Sequence, residues 1–224
     1  MLRRFPQGRG EEESLHAVEV LVVADGCTDA SAALARAHGA TVLEQPRRGV
    51  GAALRTGFGY ALSHDFDVVV VLAANGKDDP AELPRLVEPI AHGLADLVQG
   101  SRYLSRAADF GGMPAYRRLA TRAHPFLFSA VAGRFVTEST NGFRAVHRRV
   151  LEDARVDLSG ARLDGYALEP TLYLRAVRAG YRTVEVPVTK RYPPSGEAFT
   201  KVPPVTGWWS LLEPLVRAGL GGRG

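Results

Sequence analysis

The segment that decides the fold is Asp-Val-Val-Val-Val-Leu at residues 67–72, followed directly by Ala-Ala-Asn-Gly-Lys-Asp-Asp-Pro at residues 73–80. An apolar, β-branched run of this length predicts a strand that is buried on both faces, as in a parallel sheet. The pair Asp79 and Pro80 predicts the start of a helix, because proline is favoured at the first helical position. Together these features predict an α/β protein whose ligand lies at the carboxyl end of this strand.

The same alternation of strands and helices extends through the rest of the chain. Further strands are predicted at residues 18–24, 40–43, 95–99 and 181–188, and helices at residues 30–38, 49–63, 80–92, 113–132 and 165–179. This order predicts a mostly parallel sheet with helices on both faces. Polar segments follow three of the strands, at residues 25–29, 75–79 and 100–102, and we expect them to meet at one edge of the sheet.

The composition is that of a globular protein, with 224 residues of which 46% are hydrophobic and 23% charged. We expect one main domain over residues 1–192 and a tail over residues 193–224. Trp208 and Trp209 make the tail a candidate amphipathic helix, which either contacts a membrane surface or a partner or packs on the domain. The single cysteine, Cys27, excludes an internal disulfide and is typical of a reducing compartment. No signal peptide or membrane-spanning run is apparent, so we expect a cytoplasmic location, at most peripheral at the inner face of the membrane.

Positive charge is concentrated in the middle of the chain. The net charge is +4, and the nine arginines between residues 102 and 149 are opposed only by Asp109 and Glu138. A local basic field suits the phosphates of a nucleotide, a lipid headgroup or a nucleic acid. Nucleic acid is the least favoured of these, because no aromatic residues alternate with the arginines at the spacing of a binding module. Charge alone also leaves open a solvated, arginine-rich surface.

The order of these motifs resembles that of a known family. The chain resembles the family 2 glycosyltransferases of the GT-A fold, especially the branch of dolichyl-phosphate mannose synthase and related polyprenyl-phosphate glycosyltransferases. The matching segments lie, in the family's order, at residues 22–29, 49–57, 73–80, 100–103, 138–145 and 185–188. The resemblance implies that a sugar is transferred from a nucleotide-sugar donor by displacement at its anomeric carbon. The family's first strand is not recognisable before residue 18, so we expect that strand to be missing.

The metal-binding motif of the family is altered in this chain. Its Asp-x-Asp pair normally holds Mg²⁺ or Mn²⁺ against the departing diphosphate. Here Ala73 and Asn75 stand in the places of the two aspartates, and Lys77 replaces a glutamine that often assists the metal. A lysine ammonium cannot bind a cation, but it can itself neutralise a diphosphate. We therefore expect no metal cofactor, since the motif does not support the Mg²⁺ or Mn²⁺ that the family otherwise allows, and we interpret Asn75 and Lys77 together as a built-in replacement for the ion.

The resemblance implies site roles for ten residues. Lys77 and Glu138 are expected to act in catalysis, and the others are expected to bind the nucleotide sugar (Asp25, Gly49, Asn75, Arg102 and Arg117) or the acceptor (Arg144, Arg191 and Lys201). Glu138 would orient the nucleophile, or act as its base if the acceptor is a hydroxyl, whereas a lipid phosphate is already ionised. We expect Glu138 to lie near Asn75 and Lys77. Four of the basic residues are expected to converge on one concave surface, and these are Arg102, Arg117, Arg191 and Lys201.

Two functions fit the sequence. The first is an active glycosyltransferase that moves a sugar from a nucleotide sugar to a polyprenyl phosphate or a small polar acceptor, with the tail as a peripheral membrane contact and with no nucleic-acid partner. The second is a non-catalytic relative that serves as a binding or scaffold protein, which the loss of both motif aspartates and of the first strand favours. Binding of a nucleoside diphosphate without metal, followed by consumption of the nucleotide sugar, distinguishes the two.

Overall fold

The structure is a computed structural model, and it describes residues 2–3, 18–104, 113, 115–192 and 206–220. The strands in these residues are β1 (Leu2–Arg3), β2 (Leu21–Asp25), β3 (Thr41–Gln45), β4 (Phe66–Val71), β5 (Leu97–Ser101), β6 (Arg144–His147) and β7 (Thr183–Pro187). The helices are α1 (Ser31–Ala37), α2 (Val50–Ser63), α3 (Leu83–Ala91), α4 (Ala115–Ala132), α5 (Arg148–Leu151), α6 (Leu168–Arg178) and α7 (Thr206–Leu220). Short 3₁₀ turns occur at Pro80–Glu82, Ala154–Val156 and Ala161–Leu163.

The strands form two sheets. The larger has the order β1-β4-β6-β5-β7, and β2 and β3 form a separate parallel pair. β5 and β7 are parallel, whereas β6 is antiparallel to both β4 and β5. β4, β5 and β7 therefore run in one direction, and their carboxyl ends lie at one edge of the sheet. The predicted α/β class is confirmed, with β6 inserted against the prevailing strand direction.

β6 is a central strand that the sequence analysis missed. It has only four residues, Arg144–His147, of which Ala145 and Val146 are apolar. Its place is set by partners that are distant in the chain, because Val146 pairs with Val69 of β4 and with Leu97 of β5. A strand this short has no detectable hydrophobic periodicity, and pairing on both sides stabilises it instead.

Alternate residues of the central strands enter two hydrophobic clusters, one on each face of the sheet. On one face Val68 and Val98 pack with Leu86 of α3. On the other face Val69 and Leu97 belong to a larger cluster, to which α2, α4, α6 and α7 contribute. The predicted cover of helices on both faces is confirmed.

α7 lies within the expected C-terminal tail and packs on α4 and α6. Leu215 is buried in the larger cluster, whereas Trp209 is exposed. Arg178 at the end of α6 donates to the carbonyls of Val131 in α4 and Ala218 in α7, at 3.1 and 3.0 Å. One face of α7 thus packs on the domain, while a membrane contact of the tail stays a prediction. In the described part of the chain, the helices are too short or too polar to cross a bilayer.

Candidate functional site

The site begins at the loop that follows β4. Gly76 has a φ of 68°, a conformation that favours glycine, and it turns the chain just before Lys77. The amide of Lys77 donates to Oδ1 of Asn75 at 3.2 Å. Asp79 caps the following 3₁₀ turn by accepting the amide of Ala81 at 3.0 Å. The loop thus exposes Asn75 and buries Lys77.

Lys77 is a buried lysine, with 6% of its surface exposed. Its Nζ lies 5.4 Å from the centre of the Tyr192 ring, and its carbonyl accepts the amide of Arg191 at 2.8 Å. Burial, and after it the positive charges of Arg117 and Lys190, lower the pKa of Lys77 to about 8. An anionic ligand at this position would stabilise the charged form of the lysine.

Lys190, which follows β7, is fixed by two side chains. Its Nζ donates to Oδ1 of Asp78 at 2.7 Å and to Oδ1 of Asn141 at 2.6 Å. Burial lowers the pKa of Lys190, and the charge of Asp78 opposes this shift. The second carboxylate oxygen of Asp78 is buried and accepts no hydrogen bond from any residue that the structure describes. This pair ties the loop after β4 to the chain after β7.

Arg102, directly after β5, forms a buried ion pair with Glu138. Its Nε donates to Oε2 of Glu138 at 2.5 Å, its Nη1 to the hydroxyl of Tyr192 at 2.7 Å, and its Nη2 to the hydroxyl of Thr140 at 3.3 Å. The other carboxylate oxygen of Glu138 accepts the amide and the hydroxyl of Thr140, at 2.9 and 2.8 Å. Tyr192 therefore links this ion pair with Lys77.

The basic cluster of this site consists of Lys77, Arg102, Arg117 and Lys190. The other three members all lower the pKa of Lys77, so the four cations lie close enough to repel one another. Among the described residues, two carboxylates form ion pairs with the basic cluster, those of Asp78 and Glu138. Four cations this close together suit the phosphate groups of an anionic ligand.

Asp25 organises the loop that leads into α2. Its carboxylate accepts the side-chain amide of Gln45 at 2.7 Å and the backbone amides of Arg48 and Gly49 at 2.9 and 2.8 Å. Burial raises the pKa of Asp25, but these three hydrogen bonds outweigh it and hold the pKa below its usual value. The structure thus gives Asp25 a local role, and its contact with a nucleotide stays a prediction.

Gly49 and Gly51 let the start of α2 lie against the loop at Asp164. Gly49 has a φ of 124°, and a Cβ added to Gly51 would lie 1.9 Å from the carbonyl oxygen of Leu163. The carbonyl of Asp164 accepts the amides of Gly51 and Ala52, at 2.7 and 3.1 Å. Free amides at a helix N-terminus bind phosphates, but here the chain itself occupies these two. The two glycines therefore serve close packing.

Arg144, expected to bind the acceptor, is instead buried at the start of β6. Its guanidinium donates to the carbonyls of Glu169 and Asn141, both at 2.8 Å. Only 1% of its surface is exposed. The side chain therefore joins β6 to α6 and has no surface with which to reach an acceptor.

Arg191 points away from the basic cluster. Its guanidinium is exposed and lies 3.5 Å from the carboxylate of Asp79, and only its amide reaches Lys77. Lys201 lies outside the described residues. Of the four basic residues expected to converge, Arg102 and Arg117 are in the basic cluster. Lys190, which was not among the four, is also a member of it.

The residues present do not fit the metal ion that the Asp-x-Asp motif would hold. Ala73 has no donor atom, Asn75 offers a neutral amide, and Lys77 is a cation. The carboxylate of Asp78 is engaged by Lys190. Throughout the part of the chain that the structure describes, no three His, Cys, Asp or Glu side chains are grouped to hold a metal ion. A donor site in which Lys77 replaces the ion therefore stays a prediction.

Tyr192 and Glu185 are residues of this site that the sequence analysis missed. Tyr192 connects Arg102 to Lys77, and the carboxylate of Glu185 accepts the amides of Thr137 and Glu138 at 2.8 and 2.7 Å. Burial raises the pKa of Glu185, against the effect of these hydrogen bonds. The sequence signal that could have identified Tyr192 is its position beyond the last strand, directly after the basic residues Lys190 and Arg191.

Comparison with known proteins shows the family to which the chain belongs. The family model described as Glycosyl transferase family 2 matches residues 12–155. A polyprenol monophosphomannose synthase from Mycolicibacterium smegmatis is 34% identical over 181 residues, covering 77% of this chain and 66% of that protein. An undecaprenyl-phosphate mannosyltransferase from Micrococcus luteus is 32% identical over 177 residues, covering 76% of this chain and 71% of that protein.

Among solved structures, the glucosyl-3-phosphoglycerate synthase of Mycobacterium tuberculosis in complex with phosphoglyceric acid has the same fold. It superposes with a TM-score of 0.65 at 21% identity, covering 89% of this chain and 68% of that one. The GT-A arrangement predicted from the motif order is confirmed. The chain spans about two thirds of the length of these proteins. Because the family model covers more than half of the sequence, and two relatives above 30% identity align with most of it, the chain belongs to glycosyl transferase family 2.

Proposed function

We propose that this chain transfers a sugar from a nucleotide-sugar donor to a polyprenyl phosphate. Membership of glycosyl transferase family 2 supports the reaction class. The acceptor class is supported by the two relatives, a polyprenol monophosphomannose synthase and an undecaprenyl-phosphate mannosyltransferase. The sequence analysis also allowed a small polar acceptor, but neither of these two relatives is named for such an acceptor.

The observation that carries the proposal is the basic cluster at the carboxyl ends of β4 and β5. Negative charge grows on the diphosphate as its bond to the sugar breaks, and fixed cations at that place stabilise the transition state. Lys77 stands in the altered metal motif, and burial, followed by the charges of Arg117 and Lys190, lowers its pKa. Lys77 and Arg117 would therefore neutralise the two phosphates in place of a divalent cation.

The acceptor would attack without a general base. A polyprenyl phosphate is ionised at neutral pH, so its oxygen can form the new bond to the anomeric carbon as the bond to the diphosphate breaks. This agrees with the state of Glu138, whose carboxylate is fully buried and bound to Arg102. We therefore assign Glu138 a positioning role, in which it holds Arg102 beside Tyr192, rather than the role of a base.

Calorimetric titration with UDP and GDP in the presence of EDTA tests the metal-free donor site. We expect binding, and we expect Lys77→Ala to weaken it by about 10- to 100-fold, because a charge-assisted hydrogen bond contributes about 1.5–3 kcal/mol. Arg148→Gln is the matched control. It removes a cation of α5, which follows directly on the end of β6 that pairs with Val68 of β4, away from the basic cluster.

Turnover of nucleotide sugars with a short-chain polyprenyl phosphate tests the reaction itself. Release of the nucleoside diphosphate together with a glycosylated lipid in EDTA would support the proposal. Activity that EDTA abolishes and Mn²⁺ restores would overturn the role of Lys77. Nucleotide binding without sugar consumption, for every acceptor tried, would establish the non-catalytic function, which the mutual engagement of Arg102 and Glu138 favours.

A further inference from the structure

A cavity lies between α6 and α7, apart from the basic cluster. Its volume is about 770 Å³, within the range of sites that hold small molecules. Its walls are one face of α6, the second half of α7 and the loop at residues 159–163 that precedes α6. We call it the α6–α7 cavity. The four members of the basic cluster are not among its lining residues, so it is a second site of the molecule.

The helical period of α6 places this cavity on the side of the helix that faces away from the core. Leu168 and Leu172, four residues apart, are buried in the larger hydrophobic cluster. Thr171, Arg175 and Arg178, at intervals of four and three residues, share another face and line the cavity. One face of α6 therefore packs into the core, while the other forms a wall of the cavity.

This wall carries positive charge that no ion pair neutralises. Arg175 and Arg178 are three residues apart on one helix face, so their charges repel each other. Two arginines at the rim, Arg155 and Arg217, have carboxylate partners at 2.6 and 2.7 Å, but Arg175 and Arg178 form no ion pair within the described ranges. Hydrogen bonds of its own loop, more than the charge of Arg175, lower the pKa of the exposed Asp157, so this acid offsets that charge only weakly.

Both arginines of this wall keep hydrogen-bond donors for a ligand. Arg178 uses Nη2 alone for its bonds to the carbonyls of Val131 and Ala218, which leaves its Nε and Nη1 without an acceptor among the residues that the structure describes. Arg175 is half-buried, and its guanidinium donates no hydrogen bond within the same residues. Guanidinium groups with free donors bind phosphate and carboxylate groups, often through two parallel hydrogen bonds.

The rest of the lining is mainly apolar. Leu163, Leu174 and Pro214 contribute to it from the three walls, and Leu174 is 3% exposed. The hydroxyl of Thr171 is satisfied by the carbonyl of Ala167 at 2.6 Å. An inorganic ion would leave this apolar surface in contact with water, whereas an apolar group would cover it. The cavity therefore suits an anion that carries a compact apolar body.

We propose that the α6–α7 cavity binds a small organic anion. Its phosphate or carboxylate group is held by Arg175 and Arg178, and its apolar body lies against Leu163 and Leu174. This ligand is distinct from the nucleotide sugar and the polyprenyl phosphate of the proposed function, and the inference does not depend on that function. The loop at residues 159–163 borders the ligand and leads directly to Asp164, whose carbonyl holds the start of α2.

Fluorescence titration of the full chain with 1-naphthyl phosphate tests this site. We expect saturable binding that weakens as salt is added, because charge contributes to it. 1-Naphthol and inorganic phosphate each carry half of the recognised chemistry, and each should bind at least about ten-fold more weakly. 1-Naphthoate, titrated in parallel, shows whether the cavity prefers a carboxylate or a phosphate. No saturable binding of either naphthyl anion would overturn the proposal.

Variants assign the binding to this cavity. Arg175→Gln should weaken binding of the probe by about ten-fold, and Arg175→Lys, which keeps the charge, should recover part of the loss. Arg85→Gln is the matched control, because it removes a cation next to α3, on the opposite face of the sheet, and it should bind like the wild type. Urea unfolding with an unchanged midpoint shows that each variant is folded.

Two results would assign the probe or the cavity elsewhere. Loss of binding in Lys77→Ala with full binding in Arg175→Gln would place the probe at the basic cluster and overturn the proposal. Sedimentation equilibrium provides the second measurement. A wild-type dimer that Arg175→Gln converts to monomer would show that a second copy fills the cavity, which also overturns the proposal.

Discussion

Among single residues, Lys77 makes the affinity of the site for a diphosphate depend on pH. Its pKa is about 8 in the free protein, and a bound anion would raise it. We therefore expect constant affinity below pH 8 and a fall that approaches about ten-fold per pH unit above it, with uptake of one proton on binding. Calorimetric titrations with UDP or GDP between pH 7 and 9.5, in buffers of different ionisation enthalpy, measure both quantities.

Lys77→Arg is the control for this pH dependence. Arginine stays charged over the whole range, so the variant should bind with a flat profile. Lys190 is the other buried lysine of the basic cluster, and its pKa is lowered too. A fall in affinity that persists in Lys77→Arg would assign the titration to Lys190 instead.

The same shift predicts a change of stability with pH. Between pH 8 and 10.5 the unfolded chain binds a proton at Lys77 that the folded chain has lost, so the lowered pKa makes stability rise with pH through this window. Below pH 8 the folded chain carries the buried charge of Lys77, and the full free-energy cost of burying it lowers the stability. Urea unfolding at pH 7 and pH 9.5 should therefore show a gain for the wild type relative to Lys77→Met. A difference that is the same at both pH values would contradict the burial of the charge.

Glu138→Gln separates a positioning residue from a base. The change leaves the guanidinium of Arg102 buried without its charge partner, so we expect the free energy of unfolding to fall by about 3–5 kcal/mol. With a polyprenyl phosphate acceptor, kcat of the folded variant should stay within about ten-fold of the wild type, because no proton has to be removed. A fall in kcat of about 10²–10⁴-fold with unchanged donor affinity would instead identify Glu138 as a base.

The residues of the site differ in how far the sequence could reveal them. Asn75 and Lys77 follow a strongly apolar strand directly, so their place at its carboxyl end could be predicted. The pairing of Arg102 with Glu138 could not, because the two residues are 36 positions apart and the sequence pattern does not specify which side chains the fold brings into contact. Arg144 was misjudged for the same reason, since only the position of β6 between two strands shows that its guanidinium is enclosed.

At the scale of elements, the close approach of α2 to the loop at Asp164 can be tested with two glycines of the same helix. Gly51→Ala would place a Cβ 1.9 Å from the carbonyl oxygen of Leu163, and we expect it to cost about 1–3 kcal/mol or more. Gly59→Ala is the matched control. Its Cβ would meet nothing within 4 Å, so the change should stabilise α2 by about 0.5–1 kcal/mol. Urea unfolding measures both, and equal effects would contradict the packing described.

The predicted helices agree with the structure where their ends carry strong local signals. α2 starts after Gly49, Pro80 begins the turn that precedes α3, and α6 is followed by Gly180 with a φ of 84°. These residues fix the backbone locally, so their effect can be read from the sequence. β6 carries no such signal, and its strand conformation depends on its two neighbours in the sheet.

At the scale of the whole molecule, α7 tests whether the C-terminal segment belongs to the core. Leu215 is 2% exposed and packs in the larger hydrophobic cluster. Leu215→Ala should therefore lower the free energy of unfolding by about 2–5 kcal/mol in a single cooperative transition. Val216→Ala changes the adjacent, exposed residue and should stay within about 0.5 kcal/mol of the wild type. Equal, small effects of both changes would show that α7 unfolds separately from the domain.

The insertion of β6 between β4 and β5 has a consequence during synthesis on the ribosome. Both neighbours are complete long before residue 147 emerges, and each then presents an open edge where β6 will later pair. At ordinary rates of translation the interval between residues 71 and 147 lasts about 4–15 s. Open strand edges pair readily with other chains. We therefore expect that a ribosome pause after β5 has left the exit tunnel, and before residue 147 emerges, lowers the yield of folded protein.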